Sequence, residues 1–76
     1  MNEEDLLLLR NEILKEVRHF PGCTRTHYTP RIRNRNKWIP GAPFKEAFQS
    51  LVELGFLRTE QVNFDGKPLT VYYVVE

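Results

Sequence analysis

Apolar positions along this chain follow a helical period in two stretches and a strand-like period in a third. Leu6, Leu9, Ile13, Val17 and Phe20 fall on one face at 100° per residue, in a stripe about 80° wide. Asn2 is a capping residue with Asp5 three positions on, and Glu3 and Glu4 suit the positive end of the helix dipole. Pro21-Gly22 closes the stretch, so a helix is predicted over residues 2–20. Leu7 and Leu14 lie well to the side of the stripe, and Leu8 lies nearly opposite it. Three leucines off the core face mark a second packing surface, for which a homodimer through residues 2–20 is the economical reading.

The second helical pattern is firm. Phe44, Ala47, Phe48, Leu51 and Val52 form one face over residues 43–54, with Pro43 in the first turn and Gly55 as the left-handed stop. Beyond Phe56 the period becomes two, and Leu69 to Val75 is rich in β-branched and aromatic residues. Asp65-Gly66 is a hairpin turn signal, extended at its tip by Lys67-Pro68. Between the two firm patterns, residues 21–42 are weakly periodic. Thr29-Pro30 reads as a helix opening, a capping hydroxyl before a proline at the first helical position. The alternation of Arg31, Arg33, Arg35 and Lys37 equally suits an extended strand with all four charges on one face. The expected architecture is α+β: three helices, the second short or irregular, then a two-stranded hairpin, in one domain over residues 1–76.

Charge changes this picture. With 11 basic and 10 acidic residues the chain carries a net +1. From Val17 to Lys45 there is no acid, and Arg18, Arg25, Arg31, Arg33, Arg35, Lys37 and Lys45 give the segment +7, leaving −6 on the rest. Such a division is the footprint of a polyanion-binding surface, nucleic acid first. Composition adds exclusions. One cysteine forms no internal disulfide. The acidic N-terminus is unlike a secretion signal, and the longest early apolar run, Leu6 to Leu9, is far too short to span a membrane. A cytoplasmic location is expected.

The order of elements and several residues resemble the winged helix-turn-helix superfamily. Thr29-Pro30 resembles the opening of its second helix, and Ile39-Pro40 the aliphatic-proline turn before the third. Phe44, Ala47, Phe48 and Leu51 match that helix's apolar positions. Leu51 to Leu57 is similar to the Leu-x-x-x-Gly-aliphatic signature that ends the third helix and begins the wing, with Asp65-Gly66 as the wing turn. The resemblance implies a small transcriptional regulator binding double-stranded DNA. Gly41, Ala42, Lys45 and Gln49 would then lie nearest base edges, Gln49 being suited to adenine. Arg25, Arg31, Arg33, Arg35 and Lys37 would neutralise phosphates, with Lys67 reaching the backbone from the wing tip. Four to six such contacts give an affinity-versus-salt slope of roughly −4 to −5. Two departures from the family pattern are a second helix poor in aliphatics, and Glu46 and Glu53 on the outward face of the third.

Other chemistries find less support. His19, Cys23 and His27 have an H-x3-C-x3-H spacing, but three ligands do not close a structural zinc site, so no metal or other cofactor is expected. No nucleophile–base pair or glycine-rich phosphate loop is present, and the chain is not expected to be an enzyme. Tyr72, Tyr73 and Trp38 are candidates for base stacking, although a hairpin on three helices needs aromatics for its own core. The rival reading is an interaction module whose basic face docks an acidic protein.

Overall fold

A computed structural model describes residues 2–35 and 41–76. Three helices, α1 (Glu3–His19), α2 (Arg25–Arg35) and α3 (Phe44–Glu53), precede two strands, β1 (Leu57–Phe64) and β2 (Lys67–Val74). The strands pair antiparallel, giving an α+β fold with a winged-helix-like layout.

The ends of α1 follow from its sequence. Asn2 Oδ1 accepts from the Asp5 backbone N–H at 2.8 Å, satisfying one of the donors a helix start leaves open. Leu9, Ile13 and Val17 are fully buried, and half-buried Leu6 and Phe20 complete the stripe. Leu14 packs against the core from the side, whereas Leu7 and Leu8 are exposed. The end of α3 is a glycine-dependent double closure. Gly55, at φ +86°, lets its own N–H reach Val52 O while Phe56 N–H reaches Leu51 O. Pro43 sits at the N-cap, just outside the first turn, with no side-chain cap.

The second helix departs from expectation. It begins at Arg25, so Thr29-Pro30 is interior rather than the opening. The reason is tertiary. Starting at Arg25 sets Tyr28 and Ile32 one turn apart on a single face, and both are fully buried. Thr24 O accepts from His27 and Tyr28 N–H, closing the first turn before the proline is reached. Thr29 Oγ1 donates to Arg25 O at 2.9 Å, a local bond that pulls the hydroxyl away from any capping role. The extended alternative fails as well, because Arg31, Arg33 and Arg35 are helical and point around the axis. Lys37, Trp38 and the expected Ile39-Pro40 turn lie outside the described residues.

The hairpin turns through Asp65 (φ 50°) and Gly66 (φ 76°), the pairing of positive angles that suits strand twist in a two-residue loop. Lys67 stands opposite Phe64 as the first residue of β2 rather than extending the tip. Pro68 faces the outer edge, where its missing N–H is not needed. Further along that edge, Tyr72 N–H donates to Cys23 O at 3.1 Å and Tyr72 O accepts from Gly22 N–H at 2.9 Å. The α1–α2 turn thus pairs with the base of the wing. The core lies between the helices and this base, around Leu9, Ile13, Tyr28, Ile32, Phe48, Leu51 and Leu57.

Candidate nucleic-acid interface

A cleft of about 550 Å³ opens between the start of α2, the outer face of α3 and the hairpin. Thr24, Arg25 and Thr26 form one wall, Gln49 and Val52 the second, and Thr59, Pro68, Leu69, Thr70 and Tyr72 the third. A neighbouring hollow shares Arg25, Gln49 and Tyr72 and adds Lys45, Glu46 and Glu53. Three expected site residues, Arg25, Lys45 and Gln49, therefore converge although they come from two helices. They do so because α3 buries Phe44, Ala47, Phe48 and Leu51, which turns positions 45 and 49 outward. Tyr72 serves two surfaces: its ring packs 4.9 Å from Phe48 while it lines the cleft.

The remaining expected residues separate from this group. Arg31 and Arg35 are held by acids of α1. Glu16 accepts from Arg31 Nε through one carboxylate oxygen and from Arg35 Nη2, at 2.9 Å, through the other. Arg35 Nη2 also reaches Glu12 at 3.0 Å. Arg31 further lies over the Phe20 ring, 4.3 Å from its centroid. These two arginines line a shallow hollow with Glu16 and Asn34, on a surface that shares no residue with the cleft. The expectation that they face phosphates alongside Lys45 is thereby corrected: their charge is compensated within the fold. Arg33, on the other side of α2, is exposed and stacks 5.2 Å above Phe44.

Ala42 is also corrected. It is buried in the core at the entry to α3, so its methyl group does not reach a base edge. Gly41 beside it is exposed. Lys67 is exposed at the start of β2, beside the hairpin turn. On α3, Gln49 Nε2 donates to Glu53 Oε1 at 3.3 Å, so the two departures noted on this face, Glu46 and Glu53, border the cations directly.

Sequence reading missed Glu16 and Tyr28. Glu16 is 1% exposed, the sole buried charged residue described. Its signal was present: position 16 borders the apolar stripe, about 20° beyond Leu9, with Ile13 and Phe20 at helical spacing on either side of it, where a buried acid requires a basic partner. Tyr28 Oη donates to Phe20 O and accepts from Cys23 N–H at 3.1 Å, locking the turn after α1. Burial, foremost, pushes this phenol up to about 12. Cys23 is tied into the same turn, and the ring of His27 stands edge-on to that of Tyr28. Among the described residues, no three His, Cys, Asp or Glu side chains are grouped to hold a metal ion. No described helix is long and apolar enough to cross a membrane. No protein-family model, curated protein or solved structure matches the chain.

Proposed function

We propose that this chain is a winged helix-turn-helix protein that binds double-stranded DNA in the cytoplasm as a homodimer, acting in transcriptional regulation rather than catalysis. The observation that carries the reading is that Arg25 and Gln49 line both the cleft beside the hairpin and the adjoining hollow, where Lys45 joins them. In this arrangement the exposed face of α3 enters the major groove, with Gln49 positioned for adenine once it releases Glu53. Arg25 and Lys45 neutralise phosphates on one side, and Lys67 does so from the wing. Glu46 and Glu53 oppose tight approach, which makes backbone contact stronger than base readout.

Because Glu12 and Glu16 compensate Arg31 and Arg35, the expected cations left for DNA among the described residues are Arg25, Arg33, Lys45 and Lys67. Three to four contacts correspond to a slope of about −3 in log affinity against log salt. Fluorescence anisotropy with random and AT-rich duplexes across a salt series measures it. Arg25→Ala with Lys45→Ala should weaken all duplexes alike and flatten the slope by roughly two units, whereas Gln49→Ala should change discrimination among them. Absence of duplex binding at low salt would overturn the reading.

The second reading, an acidic protein as partner, has an observation of its own. Val62 and Leu69 face each other across the hairpin, with Phe64 and Lys67 next on the same side, and all three apolar members are exposed. By strand alternation this face lies opposite Thr59, Thr70 and Tyr72, and only Leu69 of it also reaches the lining of the cleft. Backbone contacts to DNA have no use for it; an amphipathic acidic segment would.

A further inference from the structure

The outward side of α1 is complementary in charge to its own reverse about Asn11. At 100° per residue, Glu4, Leu7, Leu8, Asn11, Leu14, Lys15 and Arg18 share an arc of about 120°, centred opposite buried Leu9, Ile13 and Val17. Acids stand at one end of this arc, with Glu3 alongside Glu4; bases stand at the other, with His19 alongside Arg18. Asn11 is in the middle. Leu7 is 58% and Leu8 48% exposed, far more than the other apolar residues of the helix.

We infer that a second copy of this chain covers α1, with the two helices antiparallel about a twofold axis near Asn11. The inference rests on the homodimer of the proposed function and specifies its interface. An antiparallel arrangement brings Glu4 to the partner's Arg18 at both ends, Leu8 to the edge of the partner's Leu14, and Leu7 beside the methylene stem of the partner's Lys15. A parallel arrangement sets Glu4 against the partner's Glu4 and Arg18 against the partner's Arg18, so charge selects the antiparallel form. The two Asn11 side chains meet on the axis, where each amide supplies both donor and acceptor. Arg18 has one other partner among the described residues, Glu76. Its pairing with Glu76 spans 3.7 Å between side chains 64% and 75% exposed, a contact water exchanges readily. The cleft takes no residue from α1, so the dimer leaves both clefts open. One helix pair sits at the small end of interface sizes, under about 1,200 Å² in total, which makes the association transient and sensitive to salt.

Sedimentation of the DNA-free chain at low salt tests this through a charge exchange. Glu4→Arg gives two like-charge ends in its own dimer, and so does Arg18→Glu; each should weaken self-association about tenfold. An equimolar mixture of the two variants should recover wild-type association, and so should the chain carrying both changes. Circular dichroism checks each fold. If Glu4→Arg frays the helix start, Leu8→Asp replaces it as the weakening variant. A wild-type chain that stays monomeric at millimolar concentration, single variants that sediment like wild type, or a mixture that fails to recover would each overturn the interface. Loss of duplex binding alone would leave this result untouched, and failure here would leave a DNA-binding monomer.

Discussion

Tyr28 and Glu16 show how differently two buried polar side chains shape stability. The Tyr28 phenol is raised from its ordinary value near 10 to about 12, so the folded chain holds that proton longer than the unfolded one. The stability it confers is intact below about pH 10 and is lost as pH rises toward about 12. Ultraviolet titration of tyrosinate should therefore resolve one of the three tyrosines as late, coincident with unfolding. Tyr28→Phe should remove that late step and cost about 1–3 kcal/mol in urea denaturation, because Cys23 N–H and Phe20 O lose their partner. Glu16 behaves asymmetrically with its arginines. Arg31 and Arg35 are 47% and 46% exposed, so Glu16→Gln releases two cations that reach water, at about 1–2 kcal/mol. Arg31→Met with Arg35→Met instead strands a carboxylate that is 1% exposed, at about 3–5 kcal/mol. Equal losses from the two changes would mean that Glu16 is not buried in solution.

At the level of elements, legibility followed how local the deciding force was. The C-terminal end of α3 and the hairpin turn were readable because Gly55 and Asp65-Gly66 act through their own backbone angles. Gly55→Ala isolates that effect: open space surrounds the position, so a new methyl meets nothing, and the cost of about 1–2 kcal/mol is conformational alone. Comparable stability of the variant in thermal unfolding would contradict the left-handed stop. The start of α2 was not readable, because the local rule favouring Thr29-Pro30 lost to burial of Tyr28 beneath residues distant in sequence. The same non-local pairing divided the candidate site. An acid-free run of sequence carries no mark that Glu12 and Glu16, from the preceding helix, reach two of its arginines. The outward placing of Lys45 and Gln49 was legible since it needs only the periodicity of α3, whereas Arg25 stood out by charge alone.

For the molecule as a whole, charge has to be counted by surface rather than by segment. Of the +7 of residues 17–45, Arg31 and Arg35 are compensated by Glu12 and Glu16 of α1, while Arg25 and Lys45 stand in the hollow beside the cleft with Glu46 and Glu53. The chain has a radius of gyration of 12.3 Å and measures 38 by 24 by 20 Å, a little more extended than the roughly 11 Å typical of this length. A hairpin whose outer half is exposed on every side accounts for the excess. How such an arm moves is decided at its root. The paired bonds between Tyr72 and the Gly22–Cys23 backbone do not depend on any side chain, and they lie beside fully buried Tyr28 and Phe48. Amide exchange at Gly22 and Tyr72 should consequently track global unfolding, while Gln61, at the open edge, exchanges orders of magnitude sooner. Mechanically, the arm is clamped rather than hinged: it flexes along its length and transmits any force on its tip directly into the turn between the first two helices.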